Sequence, residues 1–241
     1  QTINLELIFA DLESIEKRYT RISKIARTKD KDAVRELEIL EKIKTTLEEG
    51  KSARTIEFTP EEEPLVKSLF LLTTKPVLYV ANISEEDVIA GGDNEMVQAV
   101  REFAATEGAE VVTVCARIEE EVAELDDEEK AEFLAELGIK ESGLDQLIRK
   151  AYTLLGLGTY FTAGEKEVRA WTFRLGMKAP QTAGIIHADF ERGFIRAETV
   201  SYADLLAYGS MQAAKEAGKV RLEGKDYVVQ DGDVMEFRFN V

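Results

Sequence analysis

Pro76-Val77-Leu78-Tyr79-Val80-Ala81 reads as a strand, and it runs straight into Asn82-Ile83-Ser84-Glu85. A second apolar run, Glu110 to Val114, ends in the same manner on Cys115-Ala116-Arg117. Between them, residues 95–107 carry the spacing of an amphipathic helix. Apolar strands that do not alternate with polar residues, joined through a helix, predict an α/β arrangement with a parallel sheet covered on both faces. Ligands bind such sheets beyond the carboxyl ends of the strands, which is where Asn82 and Cys115 fall.

Asn82-x-x-Glu85 has the spacing of the base-reading corner of a P-loop nucleotide-binding domain. There the amide braces the surrounding loops, and the acid three residues on accepts from the base. An Asp in that place holds both N–H groups of guanine. Glu85 is one methylene longer, so a site that prefers ATP, or is relaxed, is expected. The same four residues also fit an ordinary turn after a strand, because Asn is a common turn former. Cys115 has two readings, as a small residue in a base-side loop that contributes backbone N–H groups or as an inert buried thiol. No G-x-x-x-x-G-K-[ST] occurs, so nothing in the chain cradles phosphates or holds Mg²⁺ through that loop. Since the chain also starts at Gln1 rather than Met, it is expected to be the C-terminal part of a larger ATPase or GTPase. By itself it is expected to be inactive.

The 241 residues suit two domains, or one with an appendage. A single cysteine excludes an intrachain disulfide framework and fits a reducing cytosol; one histidine beside it excludes the usual zinc sites. The longest apolar stretch, Leu69 to Ile83, is broken by Lys75 and Pro76, so no membrane span is expected. The net charge of −16 is unevenly placed: residues 59–164 hold 8 basic and 23 acidic side chains, whereas 1–58 and 165–241 are nearly balanced. That excludes a uniformly basic nucleic-acid surface but leaves room for a local basic patch.

Three segments follow. In residues 1–58, Leu5, Ile8, Leu12, Ile15, Tyr19 and Ile22 form one seam and Val34, Leu37, Leu40, Ile43 and Leu47 a second. With a polar turn at 28–32 and Gly50 as C-cap, they predict an antiparallel helical hairpin projecting as an arm. In residues 59–155, a helix over Pro60–Leu72 is expected, with Thr59 as N-cap and Pro60 at its first position. Strands 76–81 and 110–114 follow, then helices within 118–155. Residues 156–241 change character: short strands are predicted at 159–162, 168–173, 195–200, 227–229 and 234–239, with one helix over 181–187, as a small α+β domain.

Between Lys17 and Arg35 stand eight basic residues, among them Arg21, Lys24, Arg27, Lys29 and Lys31, against Asp30 and Asp32 alone. Coiled coils commonly carry charged flanks, yet a net excess of six on an acidic chain predicts a phosphate-backbone contact. The acidic run 119–136 lacks calcium-loop spacing and reads as a solvated helical face. His187 reads as a hydrogen-bonding residue at a helix end, because no nucleophile elbow accompanies it.

The chain resembles the YchF or Obg-like ATPase family of translation-factor-related P-loop proteins. Carrying the resemblance are Ile3-Asn4-Leu5-Glu6-Leu7 with Ala10-Asp11-Leu12-Glu13, Lys75 through Glu85, Tyr160 through Gly164, Glu167 through Thr172, Asp189 through Ile195, and Val229 through Asp233. It implies the C-terminal part of a G domain with an inserted coiled-coil arm, followed by a ubiquitin-like β-grasp (TGS) domain. It further implies ATP preferred over GTP, bound with Mg²⁺ in the complete protein, with Asn82, Ile83, Glu85, Cys115 and Ala116 around the base and Ile83 against adenine. Cytoplasmic association with the ribosome and its RNA, in a stress-related regulatory role, is implied too; neither DNA nor a membrane is an expected partner. The alternatives are a non-catalytic ribosome or RNA adaptor, and a partner-binding scaffold with no nucleotide role.

Overall fold

The computed structural model describes residues 2–164 and 167–240. Two compact units divide the chain, residues 1–120 and 121–241.

The first unit opens with a helical hairpin, α1 (Thr2–Ala26) and α2 (Lys31–Glu48). Ile8, Ile15 and Ile22 of α1 meet Ile39, Leu40, Ile43 and Leu47 of α2 in one buried cluster. Asp30 caps α2 by accepting from the Ala33 N–H at 2.8 Å, and Gly50, at φ 74°, turns the chain away beyond the helix end. The seam departs from expectation at its ends: Leu5 and Val34 are exposed, since each lies in the first turn of its helix, where the opposing helix is running out. Asp11 and Ile39 are buried instead.

The hairpin is not a free arm along its whole length. Its core continues through Ala53, Val66 and Leu71. The Asp11 carboxylate accepts from the backbone N–H groups of Leu72 (2.9 Å) and Thr73 (2.7 Å), and the Thr73 hydroxyl accepts from the Ala53 N–H. The helix expected over 60–72 is only α3 (Glu63–Ser68). Pro64, not Pro60, sits in its first turn, and Thr59 donates its N–H to the Glu62 carboxylate within a preceding turn. Phe70, left-handed at φ 52°, breaks off the run, and Asp11 captures the residues after it.

Next come β1 (Leu78–Asn82), α4 (Glu85–Ile89), α5 (Glu95–Thr106) and β2 (Glu110–Val114). β1 and β2 pair in parallel, Leu78 opposite Glu110 through Asn82 opposite Val114. The expected cover on both faces is not met: Val97 and Ala104 of α5 are buried, while Val80 remains half-exposed. β2 leads into α6 (Ala116–Ala123), along which the boundary between the units falls.

The second unit holds α7 (Asp127–Glu136), α8 (Gly143–Leu155), β3 (Leu157–Ala163), β4 (Val168–Arg174), α9 (Ala179–Ile186), α10 (Ala188–Arg192), β5 (Phe194–Ser201), α11 (Tyr202–Tyr208), α12 (Met211–Glu216), β6 (Arg221–Glu223) and β7 (Asp233–Phe239). Its five-stranded sheet runs β4-β3-β7-β5-β6, with the first and last strands, β3 and β7, parallel at the centre. That is the β-grasp order. Tyr160, Phe173, Ala197 and Met235 bury one face against Ala179 and Ala183 of α9. No strand forms at 227–229; Val228 makes a single bridge to Lys178. The segment is turned aside because Tyr227 and Gln230 both reach the buried Asp233, through a hydroxyl at 2.7 Å and a backbone N–H at 2.9 Å.

Burial, with the Asp233 carboxylate beside it, pushes the Tyr227 phenol from 10 to about 12. A folded-state value above the unfolded one means a contribution to stability that is complete below pH 10 and lost as pH rises toward 12. Tyr227→Phe should therefore lower stability at neutral pH and flatten its fall above pH 10. Urea midpoints between pH 7 and pH 11.5 check this; an unchanged alkaline slope would remove Tyr227 from the account.

Candidate functional site

Because β1 and β2 are parallel and in register, their carboxyl ends finish side by side. Asn82 is the last residue of β1 and exposed, and its Oδ1 accepts the backbone N–H of Ala116 at 3.1 Å. The Ile83 N–H donates to the Val114 carbonyl at 2.9 Å. The turns after the two strands are thereby held as one corner. Ile83 is half-buried, and the Gly91–Gly92 turn, at φ 105° and 75°, passes close to its Cδ1.

Ser84 starts α4 through a capping box with Asp87: the Asp87 N–H donates to Ser84 Oγ at 3.1 Å, and the Ser84 backbone N–H donates to Asp87 Oδ2 at 3.4 Å, joined there by the Ser84 hydroxyl at 2.7 Å. Hydrogen bonds from the side chains of Ser84 and Asn94 hold the Asp87 carboxyl below its ordinary range. Glu85 is then the first residue of α4, so its position is set by the cap beside it. Arg117, the second residue of α6, brings Nε to 2.8 Å from Glu85 Oε1. That oxygen is enclosed and lacks an aligned hydrogen bond, so the attraction is mainly Coulombic; the side chain's 38% exposure lies elsewhere. Cys115 is buried beneath the corner, and Ala116 is exposed on it. Asn82, Ile83, Glu85, Cys115 and Ala116 thus share one corner. Arg117 completes it, and only its place in the quoted Cys-Ala-Arg signalled that.

A second assembly lies at the far end of the hairpin. Arg21, Lys24, Arg27, Lys29 and Lys31 are all exposed, and among the described residues none forms an ion pair. Lower on the hairpin, Lys17 pairs with Glu13, Arg18 with Glu36, and Lys44 with Glu16. Asp30, one of the two acids at the tip, is engaged as the α2 cap. Lys29, left-handed at φ 64°, forms the bend itself.

His187 caps α10, its Nδ1 accepting the Asp189 N–H at 3.2 Å. Among the described residues, no cluster of His, Cys, Asp or Glu could hold a metal ion, and no helix is long and apolar enough to cross a membrane.

Along its full length the chain is 68% identical to the ribosome-binding ATPase YchF of Bacillus subtilis. The chain belongs to the YchF family. The ribosome-binding ATPase YchF of Haemophilus influenzae is 55% identical over 240 residues. The solved structure of the Schizosaccharomyces pombe YchF GTPase superposes with a TM-score of 0.88 over 98% of this chain, at 34% identity. Residues 157–240 match the family model YchF-GTPase_C, described as "Protein of unknown function (DUF933)". The chain spans 66% of the B. subtilis protein, 65% of the H. influenzae protein and 64% of the S. pombe chain, just under two thirds of each.

Proposed function

We propose that this chain carries the base-reading corner of a nucleotide site that takes ATP, and GTP less well, and that its hairpin tip docks the protein on ribosomal RNA in the cytoplasm. In this reading residues 1–58 form the arm, 59–155 the base side of the nucleotide domain, and 156–241 a β-grasp module. The observation that carries the nucleotide assignment is the Asn82 Oδ1 to Ala116 N–H bond, which fastens the two strand-end turns beside the half-buried Glu85 carboxylate. The relatives named as ribosome-binding ATPases support the same reading. When Mg²⁺ is bound with the nucleotide, it neutralises phosphate charge. No G-x-x-x-x-G-K-[ST] occurs in the sequence, and among the described residues no cluster of His, Cys, Asp or Glu could hold a metal ion.

Base reading is tested in the full-length polypeptide. Glu85→Asp should move preference toward GTP, because the shorter carboxylate sits where the two guanine N–H groups converge. A charge-assisted hydrogen bond is worth about 1.5–3 kcal/mol, enough to shift the ratio of affinities about tenfold or more. An unchanged ratio would mean the carboxylate does not read the base. A non-catalytic RNA adaptor is the second reading, favoured by the unneutralised hairpin tip.

A further inference from the structure

The Glu85 carboxylate does not face the corner alone. Arg117 Nε lies 2.8 Å from Oε1, and that oxygen is closed to solvent. Both side chains project from positions next to a fastened residue: Ser84 is locked in its capping box, and Ala116 is bonded to Asn82. The pair is therefore placed by the backbone on both sides. Arg117 is 74% exposed, so its guanidinium can meet a ligand without any rearrangement of the core.

We propose that Arg117 is a specificity-determining residue that makes this corner select adenine over guanine, an inference that rests on the base-reading assignment above. Guanine offers two adjacent donors, N1–H and the 2-amino group, and a carboxylate with both oxygens open accepts them together. Adenine offers one donor, the 6-amino group, beside one acceptor, N1. Arg117 Nε stands 2.8 Å from Oε1, the oxygen of Glu85 that is closed to solvent. The corner then presents an acceptor next to a donor, the complement of adenine's edge. A guanidinium has five N–H donors in a fixed fork and no acceptor, so it opposes the N1–H of guanine. The longer Glu side chain fits this arrangement, because it reaches across the mouth of the corner to the second helix.

The test is titration of the full-length polypeptide with ATP, GTP and 1-deaza-ATP, which lacks the N1 acceptor. Wild type should bind 1-deaza-ATP more weakly than ATP. Arg117→Ala should bind the two alike, and its GTP-to-ATP affinity ratio should rise about tenfold. Arg117→Lys, which keeps the charge but loses the fork, should fall between and guards against a folding defect in the alanine variant. A ratio within twofold of wild type in Arg117→Ala, with the 1-deaza penalty intact, overturns the role of Arg117. Glu85→Ala separates the two layers: if it weakens ATP while Arg117→Ala changes nothing, only this inference fails. If it leaves both affinities unaltered, the base-reading assignment fails as well.

Discussion

Asp11→Ala is expected to destabilise the first unit by about 2–4 kcal/mol, a large share of what a domain of this size possesses. Asp11 is 3% exposed on a helix whose other buried side chains are apolar. Its two oxygens accept the N–H groups of Leu72 and Thr73. Thr73 is fully buried, so removing the carboxylate strands its N–H with no water to replace it; Leu72 is partly exposed and loses less. An unmet buried donor costs about 1–3 kcal/mol, and bonds to a charged acceptor lie at the upper end of that range. Asp11→Asn keeps one carbonyl oxygen, can satisfy one of the two donors, and should lie between. Circular dichroism in urea gives the global effect, and exchange of the Thr73 amide hydrogen gives the local one. Loss of Thr73 protection in Asp11→Ala is the expected signature. A change below about 0.5 kcal/mol with Thr73 still protected would show that the contact contributes nothing.

Which parts of this were legible in the sequence follows from how local each signal is. β1 and β2 declare themselves as short apolar runs, and the 110–114 boundaries match the observed strand. The hairpin declares itself through its repeating seam. Asp11 does not, because a carboxylate on a helix reads as solvated and its partners lie 61 and 62 residues away. Pairing of Arg117 with Glu85 spans 32 positions and exists only because two parallel strands end together. The sequence predicts a longer helix over 60–72 because a proline and three acids resemble a helix start, while Phe70 ends the run through a backbone angle that no composition rule expects of an aromatic residue. Helices α10, α11 and α12 have 5, 7 and 6 residues, too few for a 3.6-residue period to emerge.

The hairpin tip should dominate the electrostatics of RNA binding. Changing Arg21, Lys24 and Arg27 together to Glu is expected to weaken ribosome binding on the order of 100-fold at low salt. The logarithmic salt slope should flatten by up to about 2–3 units, since each phosphate contact contributes about 0.7–0.9. The three side chains are exposed and lie outside the buried seam of Ile8, Ile15 and Ile22, so the hairpin should stay folded. Their charge is available because no described carboxylate pairs with them, unlike Lys17 and Arg18 lower down, whose partners Glu13 and Glu36 already neutralise them. The 23 acidic side chains between residues 59 and 164 work the other way, repelling phosphate. Lys17→Glu serves as the control: it should break the exposed pair with Glu13, leave the tip intact, and change the slope less than any one of the three. Co-sedimentation with ribosomes across a salt series, on variants whose helical content is verified, reads both quantities. If the triple variant is folded and binds with its slope intact, the tip is not the contact. The C-terminal segment 165–241, with its near-balanced 11 basic and 12 acidic residues, then becomes the region to test.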